Sequence, residues 1–167
     1  MQSGLTTSNY GALIFLLRGK KVIIDADLAL LYEVPTKALK QQVKRNPGRF
    51  PTDFMFELTG VEKQNLVTNC DRLANLRHSS VNPMAFTEQG VAMLSGILNS
   101  ERAIAVNIAI MRAFVQLRKF IETNKELVVK IGELEKMVSG HDENIRLIFE
   151  TIGQLIEKKN ELRTPVG

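Results

Sequence analysis

The chain has 167 residues, 44% of them hydrophobic and 24% charged, with a formal net charge of +4; this marks an ordinary soluble chain, long enough for one core and one extension. Its one cysteine, Cys70, excludes an internal disulfide, and with only His78 and His141 beside it there is no ligand set for a structural zinc, so no metal or other cofactor is expected and a reducing compartment is. The apolar run from Ala12 to Leu17 is too short to cross a bilayer and no cationic stretch precedes it, so neither membrane anchor nor signal segment is expected, and the location expected is the cytoplasm.

Residues 12–24, ALIFLLRGKKVII, hold two apolar runs around Arg18-Gly19-Lys20, the pattern of a β-hairpin whose turn uses a positive φ at Gly19. Asp25 is a suitable N-cap for a helix over residues 26–33, where Leu28, Leu31 and Tyr32 line one face. Pro35 ends that helix, and Thr36 is placed to cap the next. Two short helices joined by a tight turn have the spacing of a helix-turn-helix, which a purely structural helical hairpin shares.

The second helix carries the distinguishing signal. At 100° per residue Lys37, Lys40, Gln41, Lys44 and Arg45 share an arc of about 140°, while Ala38, Leu39 and Val43 fall on the opposite side. Between Arg18 and Phe50, eight cations (Arg18, Lys20, Lys21, Lys37, Lys40, Lys44, Arg45, Arg49) stand against three anions (Asp25, Asp27, Glu33), a net +5. No Asp or Glu lies between Pro35 and Pro51. A merely solvated face normally mixes signs, whereas an unneutralised one projects its field onto a polyanion. Gln41 adds a paired donor and acceptor, which can meet an adenine edge and which a phosphate does not require.

Asn46-Pro47-Gly48 breaks that helix, and FMFEL from Phe54 to Leu58 alternates like a short strand, with Arg49 in the loop between. Thr59 to Glu62 reads as a capping box opening a helix that carries Leu66 and Val67. Residues 68–83 are polar, with Arg72, Arg77 and His78, and fit a loop or short helix whose cations either meet solvent or make a second phosphate contact. Met84 to Phe86 is a candidate strand, Thr87 caps a helix through Leu98, and Ser100 caps the next.

From Ser100 to Asn160 there is no proline, and apolar residues recur at alternating steps of three and four, a heptad. Ala103, Ile110, Leu117, Asn124, Ile131, Val138, Ile145 and Ile152 take position a; Val106, Ala113, Phe120, Leu127, Leu134, His141, Ile148 and Leu155 take d. The part from Ala103 to Leu117 is expected to pack into the domain core. Beyond it, Asn124, Leu127, Ile131, Leu134, Val138, Ile145, Ile148, Ile152 and Leu155 form the oligomerisation candidate, with Asn124 fixing the register of a parallel two-stranded coil. Alternatively, Ser139 to Asp142 caps one helix and starts another, and the tail folds back as a hairpin.

Three stretches, VIIDADLALLYEV at 22–34, KQQVKRNPGRFPTDFMFEL at 40–58 and PMAFTEQGVAMLSGILNSERAIAVNIAIMRAFVQLR at 83–118, together resemble the ORF-six N-terminal domain family of phage and bacterial proteins, relatives of the KilA-N DNA-binding domain. The likeness covers about residues 12–119. It implies a small α/β DNA-binding domain of phage-type regulators, commonly followed by a variable or coiled-coil part. The family pattern Lys-x-Asn followed by Arg-Phe-Pro is met by Lys44, Asn46, Arg49, Phe50 and Pro51. The sequence departs from the pattern at Glu33, where the family usually has a Gly that takes a positive φ more easily.

The fold expected is α+β: a small, mostly helical domain over 12–119 with short strands and a helix-turn-helix-like unit, a long C-terminal coiled-coil helix over 120–160, and a disordered tail at 161–167. The function expected is double-stranded DNA binding by a dimeric transcriptional regulator of phage or prophage type, nucleoid-associated in the cytoplasm, with Thr36, Lys37, Lys40, Gln41, Lys44, Arg45, Asn46 and Arg49 at the interface. The alternative is a coiled-coil interaction module whose basic helix takes an acidic protein partner. Catalysis is not expected: Gly19-Lys20 lacks the surroundings of a phosphate loop, Cys70 and His78 have no orienting third group, and Glu88 and Glu101 suit helix first turns.

Overall fold

The computed structural model describes residues 7–139. The chain divides into two compact units, one spanning Val22–Asn99 and the other formed by the described residues up to Lys21 and from Ser100 onward. Its class is α+β. The strands are β1 (Phe15–Leu17), β2 (Lys20–Ile24), β3 (Met55–Glu57) and β4 (Met84–Thr87), in the sheet order β1-β2-β4-β3. The helices are α1 (Asp25–Tyr32), α2 (Thr36–Arg45), α3 (Gly60–Asn69), α4 (Glu88–Leu94), α5 (Glu101–Thr123) and α6 (Lys125–Ser139), with 3-10 turns at Thr7–Leu13, Pro47–Arg49 and Asp71–His78.

The expected hairpin turn is present, and both its central residues have positive φ, Arg18 at 53° and Gly19 at 73°. Two such residues in sequence make the mirror-image turn whose twist matches the strands.

Within the unit at 22–99, β4 lies between β2 and β3, antiparallel to both, with Ile24 opposite Ala85 and Met55 opposite Phe86. All four β4 residues are buried, as befits a central strand covered on both faces, which has no reason to alternate. The Thr59–Glu62 capping box forms in both directions, and Thr87 caps α4 by accepting from the Gly90 N–H at 3.3 Å. That helix is shorter than expected, ending at Leu94. Gly90 is required for a second reason: a Cβ there would overlap the carbonyl oxygen of Phe54, so α4 crosses the chain leading into β3 at backbone distance.

In the other unit α5 starts as expected at Ser100, whose hydroxyl accepts from the Ala103 N–H at 3.1 Å. Ala103, Val106, Ile110, Ala113 and Leu117 are buried, as the heptad reading placed them, together with Asn107 and Phe114. The 3-10 turn Thr7–Leu13 packs on this helix, where Tyr10 is buried and its phenol pushed above its ordinary pKa by desolvation, with nearby Arg102 opposing.

One uninterrupted helix through residue 124 was expected, and here the structure corrects the reading. Helix α5 stops at Thr123 and Asn124 adopts a non-helical φ of −121°. The Asn124 side-chain amide donates to the Phe120 carbonyl at 2.9 Å, as does its backbone N–H. An asparagine that satisfies the last turn of its own helix competes with the helix backbone, so Asn124 marks the end of α5. Leu127 and Ile131 lie on α6, Leu127 48% exposed, and Leu134 and Val138 also belong to α6. Ile145, Ile148, Ile152, Leu155 and the tail at 161–167 lie outside the described residues, as does the alternative fold-back beyond Gly140.

Candidate nucleic-acid interface

Helix α1 ends in a left-handed residue. Glu33 has φ 58° and ψ 44°, its N–H bonds back to Leu30 at 3.2 Å, and the Val34 N–H bonds to Ala29 at 3.0 Å. These two bonds make a Schellman motif, normally closed by glycine. Glu33 thus adopts the geometry that a glycine would favour, and the turn into α2 is kept. Pro35, extended at ψ 140°, is the N-cap of α2.

Two expected caps are not formed. Thr36 is the first residue of α2 and makes no capping bond, because Pro35 already takes the boundary position. Asp25 is the first residue of α1 and is turned inward: its carboxylate accepts from the Met84 N–H at 3.0 Å and pairs with Lys40 at 3.3 Å. Only 2% of Asp25 is exposed, and burial pushes its carboxyl above the usual 3.8, against the opposing pull of the Met84 N–H and Lys40.

Lys40 therefore does not extend the open cationic face. Its ammonium also donates to the Asn82 carbonyl at 2.7 Å, and its side chain is 13% exposed. One lysine ties α2 to the start of α1 and to the segment before β4. Lys63 of α3 holds the same segment from elsewhere, donating to the Ser79 carbonyl and to Val81 at 3.4 Å.

Arg72 is exposed, as one of the two readings had it, and its guanidinium is also engaged by a buried acid. Its guanidinium donates at 3.1 and 3.0 Å to the two carboxylate oxygens of Asp27, which is 2% exposed. Such a two-pronged pair suits a buried carboxylate.

Leu39 and Val43 are buried and anchor α2, whereas Lys37, Gln41, Lys44 and Arg45 are exposed. Ala38, expected on the apolar side, is exposed as well, at the margin of the arc. Among the described residues Lys37, Lys44 and Arg45 make no ion pair with an acid. Asn46 is used by the helix end: its amide donates to the Gln42 carbonyl at 2.8 Å. Beyond it Phe50 is buried edge-on against Phe86, with ring centroids 6.0 Å apart and planes at 84°, which fixes the loop that carries Arg49. The exposed Arg49 guanidinium lies over Gly96, where a Cβ would collide with it.

The α2 face is one wall of a groove of about 540 Å³. Thr36, Lys37, Lys40, Gln41 and Lys44 line one side, Leu76, Ser79, Val81 and Pro83 the other. The second wall had no signal in the sequence, since residues 68–83 have no periodicity that would place them beside α2. Chemically the groove offers cations, a carboxamide and a short apolar strip. Among the described residues there is no group of three or more His, Cys, Asp or Glu that could hold a metal, and no helix long and apolar enough to cross a membrane.

A helical hairpin with a short left-handed turn, set on a small antiparallel sheet and exposing a cationic second helix, defines a compact α+β module of the helix-turn-helix-like kind. The family model described as the ORF6N domain matches residues 12–97, which is 86 of the 167 residues, and the chain belongs to the ORF6N domain family. The match ends before α5, short of the 12–119 span inferred from sequence. No curated protein and no solved structure matches the chain.

Proposed function

We propose that this is a non-catalytic protein that binds double-stranded DNA through α2, acting as a homodimeric transcription regulator of phage type on the nucleoid. The observation that carries the reading is the exposed face of Lys37, Gln41, Lys44 and Arg45, which no acidic side chain among the described residues pairs with and whose helix is tied to the start of α1 by the ion pair of Lys40 with the buried Asp25. Membership of the ORF6N domain family supports it. Gln41 and Lys44 face the bases in this reading, while Lys37, Arg45 and Arg49 meet phosphates.

Binding to random duplex and to a selected cognate site, each at several salt concentrations, tests it. Lys44→Ala should weaken the cognate site more than random duplex, whereas Arg45→Ala should weaken both DNAs and reduce the slope of log K against log salt by about one. Gln41→Ala should leave the slope alone and cost about 1–3 kcal/mol on the cognate site only. If the wild-type chain ignores duplex at low salt yet takes an acidic polypeptide, the interaction-module reading replaces this one.

A further inference from the structure

The buried stripe of α5 is not its only apolar stripe. Ile104, Ile108 and Val115 are 47%, 48% and 38% exposed, and Met111 is half-buried beside them. Their spacing of four, three and four places all four within an arc of about 60°. This is a second seam at coiled-coil spacing, bordering the first, and the heptad reading passed over it because the buried residues matched the same period. Extended by one step each way it reaches Glu101 and Arg118, both exposed.

We infer that this seam pairs with the same seam of a second copy of the chain, antiparallel, about a two-fold axis between Ile108 and Met111. Such a pairing sets Ile108 against Met111 of the other copy and Ile104 against Val115. One layer further out at each end, Glu101 meets Arg118 of the other copy. Parallel pairing would instead stack Glu101 on Glu101 and Arg118 on Arg118, so the charges select the antiparallel arrangement. Arg112, at the edge of the seam, falls across from the small side chain of Ala105 and not from another cation. Four apolar layers bury less than the roughly 800 Å² per partner of a standard interface, so the pair is a weak, reversible dimer. In that dimer the two α6 helices start about 46 Å apart, at 1.5 Å per residue from the axis, and an in-register parallel coil beginning at Asn124 cannot form in the same dimer.

The inference rests on the homodimer part of the proposed function and is independent of DNA. Sedimentation equilibrium of the full chain without DNA tests it. Ile108→Glu should leave monomer at concentrations where the wild type is dimeric. Glu101→Arg and Arg118→Glu should each weaken the dimer at least tenfold, and the two together should restore it to within about threefold, which no parallel or unrelated interface reproduces. A wild-type dimer that Ile108→Glu leaves intact overturns the seam and keeps the homodimer. A wild-type chain that is monomeric at every concentration overturns both. Neither result bears on duplex binding by α2.

Discussion

Glu33→Gly should stabilise the protein, although it removes a side chain and adds none. Glu33 sits at φ 58° and ψ 44°, where an L-residue is held at a cost of about 1–2 kcal/mol. Glycine does not recover all of that, because its greater freedom in the unfolded chain costs about 0.5–1 kcal/mol. The net gain is about 0.5–1 kcal/mol, or about 1–4 °C in Tm for a domain of this size. Glu33→Ala is the control, since it loses the carboxylate but keeps the Cβ and its strain. The difference between the two variants, read from urea midpoints or scanning calorimetry at one pH, isolates the backbone contribution. If Glu33→Gly is no more stable than Glu33→Ala, the left-handed turn is not where the strain lies. Both variants remove the same negative charge near α2, so they should raise duplex affinity equally; a difference between them would mean that the turn, and with it the direction of α2, has moved.

Gly90→Ala should cost about 2–3 kcal/mol in the urea midpoint because its Cβ meets the Phe54 backbone, whereas Gly96→Ala should be nearly neutral because it meets only the mobile end of Arg49. Lys40→Met should cost about 3 kcal/mol at pH 7 by leaving Asp25 buried without its cation. That deficit should shrink as the pH falls towards 4: a carboxyl whose folded pKa is raised above 3.8 favours folding at low pH and loses that contribution as the pH climbs through the folded value. A deficit that does not change with pH would mean Asp25 is not the group left exposed to the loss.

The parts of the fold that could be read from the chain are those decided within a few residues. The Gly19 turn, the Thr59 capping box, the Thr87 and Ser100 caps and the Pro35 boundary are all contests between a local side chain and the backbone beside it, and the sequence contains both contestants. The partners of Lys40 and Arg72 could not be read, for the opposite reason. Their carboxylate partners lie 15 and 45 positions away (40 − 25 and 72 − 27), and no periodicity reports a partner on another element. The helical wheel did hold a partial signal, since Lys40 stands only about 60° from buried Val43, at the arc's inward edge. The helix end at Asn124 was passed over because the heptad was followed through it, when four residues back its own helix offered the amide a carbonyl. These corrections narrow the cationic face but make it a better site. A lysine on an open face contributes charge at any angle, whereas Lys40 and Arg72, paired behind it, fix the elements that carry or border the groove. If α2 reads bases, Lys40 is a positioning residue: Lys40→Met should lower cognate affinity more than random affinity while leaving the salt slope near the wild-type value, measured at a urea-free temperature where the variant is still folded. A slope reduced by one would return Lys40 to the phosphate contacts.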